Sequence, residues 1–194
     1  MIWESGPWKD ELLKDAEMLN RWSANKKRIA KRELIFEKKL FLSAYVIRKL
    51  FEAEKVCTEV PEKVILCETY SRTSSVMTPL NWHRIDEHFE LQRSSIASLS
   101  YKALVNQIVH SHIFMLQVDE EDVVNGFLVS SKQGKQQRLF GVSLSSFIEL
   151  MREIGTDDPS RIRTKKDVST GKYVVIKTCE VHSGSKDYLD DFFP

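Results

Sequence analysis

The chain has 194 residues, and its 29 lysines and arginines nearly balance its 28 acidic residues, which gives a formal net charge of +1. Hydrophobic residues make up 42% of the chain and charged residues 29%, a composition typical of one large globular domain or two small ones. These values exclude a fibrous or low-complexity chain. They also exclude a basic field over the whole molecule for binding nucleic acid, and leave only local patches.

The sequence carries no signal for a membrane or for secretion. Its N-terminus has no basic stretch followed by an apolar one, and no apolar run approaches the ~20 residues that span a bilayer. The three cysteines, Cys57, Cys67 and Cys179, are widely spaced, which fits neither a disulfide framework nor a zinc site. We therefore expect three buried thiols, a cytoplasmic location, no membrane contact and no cofactor.

The first part of the chain has the patterning of a helical bundle. Gly6 and Pro7 open a first helix, because the N–H that proline lacks has no intrahelical partner at that position. A broad apolar stripe predicts a long second helix over residues 25–56, central to the bundle. The apolar positions of the first helix are Trp8, Leu12, Ala16 and Leu19, and those of the second are Ile29, Phe36, Leu40, Ala44, Ile47 and Phe51.

The start of the second helix is strongly basic. Residues 25–49 include nine basic and two acidic side chains, a local charge of +7. One hypothesis is a site for an anionic partner such as RNA, and the alternative is a solvated helix end with flexible lysines. The candidate nucleic-acid-binding residues are Lys26, Lys27, Arg28, Lys31 and Arg32.

The middle of the chain contains both helix-like and strand-like sequence patterns. Residues 64–70 predict a strand or an extended arm, and Asn81 caps a short helix. The small polar residues 94–98 predict a helix start or break, and residues 99–111 predict the next helix. Short β-rich runs follow at residues 113–118, 126–131, 139–143 and 173–179.

The predicted fold class is α+β: an N-terminal helical bundle followed by a small antiparallel sheet with one packed helix. That helix, over residues 144–154, is amphipathic and ends at Gly155 as its C-cap. The parts are helical (1–112), β (113–182) and an acidic, aromatic tail (183–194), with the first two packed as one unit. The tail is a docking peptide for a partner protein, a segment folded back on the sheet, or a frayed end.

One polar pair interrupts the apolar face of the helix predicted at residues 99–111. Asn106 and His110 are four residues apart, so they share a face one turn apart. An unpaired buried polar group costs about 1–3 kcal/mol, and the Asn106 amide can hydrogen-bond the imidazole and fix its tautomer. Such a pair suits a general base. It equally suits a structural histidine whose hydrogen bonds are satisfied in the core.

The segment around this pair resembles the motif of the HEPN helical-bundle nucleases and antitoxin-partnered toxins. Their motif places an arginine and a polar residue ahead of three residues and a histidine, followed by a small residue. Asn106, His110 and Ser111 match the polar, histidine and small positions, and Ile108 and Val109 match the apolar ones. The resemblance implies metal-independent RNA cleavage, with histidine as acid or base and arginine stabilising the charged phosphorus.

Two positions depart from the family motif. Val105 stands where the motif has its arginine. His112 stands where the motif usually has an aromatic residue, directly after the small one. Valine has no charge and no donor, and the loss of one preorganised donor commonly lowers a rate ~100–1,000-fold. The resemblance therefore implies an impaired or inactive site, unless Arg84, Arg93 or an arginine of a second subunit in a homodimer supplies the charge.

The sequence supports three hypotheses about function. The first is a non-catalytic interaction module with a degenerate HEPN-like site, acting through a partner protein. The alternative is an RNA-binding protein or metal-independent ribonuclease, in which His110 is the acid or base and Asn106 orients it. The third is a structural role for His110, with function elsewhere, such as in the tail. No metal site is predicted, because no carboxylate or cysteine at suitable spacing completes a set of ligands.

Overall fold

The computed structural model describes residues 2–23, 32–131, 138–171 and 173–178. The helices over these residues are α1 (Gly6–Ser23), α2 (Arg32–Glu52), α3 (Ile85–His88), α4 (Tyr101–Val109) and α5 (Leu144–Thr156). The strands are β1 (Val64–Arg72), β2 (Phe89–Ser100), β3 (Ser111–Val118), β4 (Val124–Ser131), β5 (Leu139–Ser143), β6 (Arg161–Lys166) and β7 (Tyr173–Thr178). The predicted α+β class is confirmed.

The main sheet draws its strands from both sides of residue 112. Its five antiparallel strands have the order β2-β1-β5-β4-β3, while β6 and β7 form a separate two-stranded sheet. β1 pairs with β5 through Glu68 opposite Gly141 and Tyr70 opposite Leu139. This pairing joins the helical and β parts of the chain through backbone hydrogen bonds.

The expectation of a helix start or break at residues 94–98 is wrong, because these residues belong to β2. A run of serine, alanine and isoleucine has little preference of its own, and the pairing of Cys67 with Ala97 across β1 and β2 determines its conformation. Helix α4 follows directly, and the Ser100 hydroxyl at its N-cap accepts a hydrogen bond from the Ala103 N–H (3.2 Å). The motif helix is therefore short and ends at Val109.

The predicted apolar stripes of the first two helices face one continuous core. The buried positions are Leu12, Ala16 and Leu19 on α1, and Phe36, Leu40, Ala44, Ile47 and Leu50 on α2. Trp8 departs from the prediction, since it is 42% exposed. Side chains from α4, β4, β5 and α5 complete the same core. The predicted start of the second helix, up to residue 31, lies outside the described residues.

Gly155 has a different role from the predicted C-cap. Helix α5 continues to Thr156, and Asp157 is its C-cap. A Cβ atom at Gly155 would lie 2.6 Å from Leu13 Cγ on α1, closer than side chains tolerate. The glycine therefore allows α1 and α5 to approach each other closely.

The cysteines differ from the expectation of three thiols. Cys57 is disulfide-bonded. The expectation of a free thiol at this position is therefore wrong. Cys67 is a buried free thiol, and burial raises the pKa of that thiol to about 11. Cys179 lies outside the described residues.

None of the helices in the described part of the chain combines the length and the hydrophobicity needed to cross a bilayer.

Candidate functional site

His110 stands on the surface at the end of the motif helix. It is the C-cap residue of α4, and its backbone N–H donates to the Asn106 carbonyl (3.0 Å). Its side chain is exposed. The end of the helix thus turns the imidazole away from the apolar face of α4, where Leu104 and Ile108 are buried.

A guanidinium from another helix contacts this imidazole. Arg48 Nη1 on α2 lies 2.6 Å from His110 Nε2, although 62 residues separate the two in sequence. A guanidinium can only donate hydrogen bonds, so Nε2 accepts and the neutral ring carries its proton on Nδ1. The contact therefore presents an unprotonated nitrogen beside a permanent positive charge.

Glu52, one turn further along α2, holds Arg48 in place and also binds Lys49. Glu52 Oε1 accepts from Arg48 Nε (2.7 Å), and Glu52 Oε2 accepts from Lys49 Nζ (2.6 Å). Hydrogen bonds from Lys49 and then Arg48 lower the pKa of Glu52, and the same contact with Glu52 raises the pKa of Lys49. We call Arg48, Lys49, Glu52 and His110 the α2–α4 polar cluster.

The family motif positions lie differently from this cluster. Val105, at the arginine position, is 1% exposed within the core, so no side chain at this position reaches the imidazole. Asn106 is half-buried, and in the structure His110 Nε2 is paired with Arg48 and not with the Asn106 amide. The orienting role of Asn106 stays a prediction.

The two arginines considered as substitutes lie elsewhere. Arg84 forms an ion pair with Glu87 (3.3 Å) on the surface. Arg93 lines a recess of about 400 Å³, together with residues 89–92, Thr73 and Asp86. Neither His110 nor Arg48 lines this recess, so the α2–α4 polar cluster lies outside it.

The basic residues predicted to bind nucleic acid are only partly described. Lys26, Lys27, Arg28 and Lys31 lie outside the described residues. Arg32 is buried, and its guanidinium donates to the carbonyls of Trp22 (2.7 Å) and Asp122 (3.3 Å). It also lies over the ring of Phe36, 5.6 Å from the centroid. Arg32 therefore holds the start of α2 against the core.

A satisfied core histidine does exist, at His88. Its side chain is fully buried, its Nδ1 accepts from the Ser75 hydroxyl, and its Nε2 donates to the Asn81 carbonyl (3.0 Å). Asn81, predicted as a helix cap, instead accepts from the Thr78 N–H (2.6 Å) through its side chain, and the helix begins later, at Ile85. The buried histidine with both ring nitrogens hydrogen-bonded is therefore His88, whereas His110 is exposed.

These two histidines predict a clear contrast in stability. His88→Ala leaves the Asn81 carbonyl without its partner and should lower the free energy of unfolding by about 1–3 kcal/mol. His110→Ala removes an exposed side chain and should change it by about 0.5 kcal/mol or less. Urea unfolding followed by circular dichroism measures both. A larger loss for His110→Ala than for His88→Ala would contradict this assignment.

The expectation of no metal site and the proposed docking tail fall differently against the structure. Within the described part of the chain, no three histidine, cysteine or carboxylate side chains gather closely enough to hold a metal ion. The tail at residues 183–194, considered as a docking peptide, lies outside the described residues.

The resemblance to HEPN proteins stays a prediction. The structure adds a guanidinium beside the motif histidine, supplied by a different helix from the one that the family motif implies. No family model matches this chain, and neither a curated protein nor a solved structure matches it.

Proposed function

We propose that this protein is a non-catalytic interaction protein whose partner is RNA, and that Arg48 and His110 contact the phosphodiester backbone. The observation that carries the proposal is the 2.6 Å contact between Arg48 Nη1 and His110 Nε2 at an exposed surface. Arginine is well suited to phosphate, because its planar fork of five donors matches the phosphate oxygens.

The chemistry of the pair fits an anionic partner. The two contacts of Arg48 with His110 and Glu52 use two of its five N–H donors, and the others remain for phosphate oxygens. Lys49, on the same turn, adds a second cation. A phosphate at this position exchanges its counterions for protein cations, so its binding should weaken as salt increases.

The exposure of the pair favours binding over catalysis. Electrostatic stabilisation of a transition state is strong where water is excluded and the donors are held in advance. His110 is exposed, and the recess of about 400 Å³ lies at other residues. The pair therefore has the groups for recognition without the enclosure that a fast reaction requires.

The binding prediction is tested by fluorescence anisotropy with a labelled oligouridylate. Arg48→Gln should weaken binding about tenfold, which corresponds to about 1.4 kcal/mol for one charged contact. The matched control is Lys38→Gln, which removes an exposed cation from the same helix and should leave the affinity within about twofold. Equal affinities for the two variants would contradict the proposal.

A metal-independent ribonuclease is the second candidate, because Nε2 of His110 has the lone pair that a general base needs once Arg48 donates to a phosphate oxygen in place of the imidazole. In that reaction Nε2 takes the proton of the 2′-hydroxyl, whose oxygen attacks phosphorus, and the 5′ oxygen leaves and takes a proton from water. Incubation of RNA with wild type and His110→Ala in EDTA separates the candidates. We expect background cleavage by both, and cleavage that depends on His110 would replace the non-catalytic proposal with this one.

A further inference from the structure

The β6–β7 hairpin is exposed and basic, and it lies apart from the main sheet. All six residues of β6 are exposed, and among the described strands β6 pairs only with β7. The two strands together contain five cations and no carboxylate. An isolated two-stranded sheet is marginally stable in water, because it buries little apolar surface. A further segment that covered one face of the hairpin would therefore stabilise it.

The register divides the side chains of the hairpin between two faces. Directly opposed residues of an antiparallel pair share a face, and so do residues two apart on one strand. Arg161 and Arg163 on β6 therefore share a face with Val174 and Ile176 on β7, and we call these four residues the basic face. Lys165 lies on the same side but has an interaction of its own. Neither arginine forms an ion pair within the described part of the chain.

The hairpin is anchored through its other face. Lys177 lies opposite Ile162 on that face, and its Nζ donates to the carbonyl of Glu54, just after α2 (2.7 Å). The Thr58 N–H also donates to the Lys177 carbonyl (2.9 Å). The basic face takes no part in this attachment, and its Val174 side chain is 44% exposed.

The sequence of residues 183–194 complements the basic face. This segment contains three aspartates and one lysine, together with four large apolar side chains: Tyr188, Leu189, Phe192 and Phe193. Carboxylates form strong hydrogen bonds with arginine, and apolar side chains gain free energy by covering exposed valine and isoleucine. The segment therefore supplies both kinds of partner that the basic face can bind.

The segment is also attached close to this face. Strand β7 ends at Thr178, so four residues separate it from Ser183. The nine residues from Thr178 to Asp187 reach about 30 Å when extended, whereas the six residues of β7 are about 20 Å long. The Ser–Gly pair at residues 183–184 is typical of a turn that reverses the chain. Because a tethered segment acts at a millimolar effective concentration, weak contacts are enough to hold it.

We propose that residues 183–194 dock within the same molecule on the basic face of the β6–β7 hairpin. The aspartates of the segment pair with the two arginines, and its aromatic side chains cover the valine and the isoleucine. The docked segment withholds these arginines from other anions. The inference goes beyond the proposed function, because it requires neither Arg48 nor RNA.

Limited proteolysis of the full chain tests the charged part of the contact. Chymotrypsin cleaves after Tyr188, and slow cleavage tracks the undocked population of the segment. Arg161→Gln with Arg163→Gln should speed this cleavage about fivefold at low salt, through the loss of two exposed ion pairs. The matched control, Lys102→Gln with Lys166→Gln, removes two exposed cations outside the basic face and should change the rate by less than about twofold.

Two adjacent valines test the apolar part of the contact. Val174 lies on the basic face and Val175 on the other face, and they are 44% and 39% exposed. Val174→Ser should speed cleavage after Tyr188 a few-fold, whereas Val175→Ser should leave the rate nearly unchanged. Equal acceleration by both would mean that loosening of the hairpin sets the rate, and would contradict the inference.

Exchange of the three aspartates for asparagine gives the reciprocal test. Each rate is divided by that of a synthetic peptide with the same sequence as the segment, which corrects for changes in the cleavage site. The asparagine variant should then speed cleavage as much as the arginine variant, and the combined variant no further, because both remove one contact. Arg161→Lys with Arg163→Lys keeps the charge and should retain slow cleavage. Circular dichroism of the hairpin variants should match wild type, because their exchanged arginines are exposed.

Three outcomes would overturn the inference. Cleavage of wild type as fast as that of the synthetic peptide would show that the segment does not dock. Protection that disappears on dilution would assign the face to the same segment of a second copy. An unchanged cleavage rate in the arginine variant, together with weaker binding of a labelled oligouridylate, would assign the face to RNA.

Discussion

Asp157→Ala is expected to lower the free energy of unfolding by about 1–3 kcal/mol, the cost of leaving a buried hydrogen-bond donor without its acceptor. Asp157 is buried directly after α5, and its Oδ2 accepts from the Cys57 backbone N–H (2.7 Å). The buried ammonium of Lys9 donates to the Asp157 backbone carbonyl (2.5 Å). The variant leaves the N–H of Cys57 without its carboxylate acceptor and removes one of two carboxylates, Asp157 and Asp158, whose charges favour the ammonium form of Lys9.

The pH dependence of this loss follows from Lys9. Burial lowers the pKa of Lys9, and the charge of Asp157 acts against that shift. The unfolded chain therefore holds this proton to higher pH than the folded protein, so the contribution of Lys9 to stability increases with pH up to its ordinary value of 10.5. Removing the carboxylate should cost more below the lowered pKa of Lys9, where the amine is charged, than above it, where the amine is neutral.

Guanidinium unfolding followed by circular dichroism measures the effect, with Asp158→Ala as the control. Asp158 is the exposed neighbour of Asp157, so its loss should cost about 0.5 kcal/mol or less. Equal midpoints for the two variants would show that the contact between the end of α5 and Cys57 does not stabilise the fold.

Phe127→Ala is expected to lower the free energy of unfolding by more, about 3–5 kcal/mol, through the cavity that it leaves. Phe127 on β4 is fully buried between two aromatic rings. It stacks on Phe114 of β3 (5.3 Å between centroids) and meets Phe147 of α5 edge-on (5.6 Å). Phe114 in turn contacts Phe41 of α2 (4.6 Å), so this row of rings links β3 and β4 to both α2 and α5.

Thermal unfolding of Phe127→Ala and Phe127→Leu distinguishes cavity formation from a general sensitivity of the site. Leucine fills more of the volume, so Phe127→Leu should retain most of the stability. Since total stabilities are about 5–15 kcal/mol, the alanine variant should be close to unfolding at 37 °C. A small and equal loss for both variants would mean that the aromatic row is not a main contributor to the core.

Local patterns predicted much of the secondary structure. The stripes of α1 and α2, the helix start at Pro7 and the β-rich runs each depend on residues close to one another in the chain, so the sequence shows them directly. The segment at 94–100 and strand β6 could not be predicted in this way. Their conformation depends on pairing with β1 and β7, and neither segment has a strong preference of its own.

By itself the sequence determined the α+β class, the core faces of the first two helices and the position of His110 as a residue of interest. Only the tertiary structure decided that the ring is exposed, that Arg48 is its partner and that the core histidine is His88. The physical reason is the range of the forces involved. Helical periodicity and capping act between residues that are close in sequence. The approach of α2 to the end of α4 results from packing of the whole core, so no local sequence pattern predicts it.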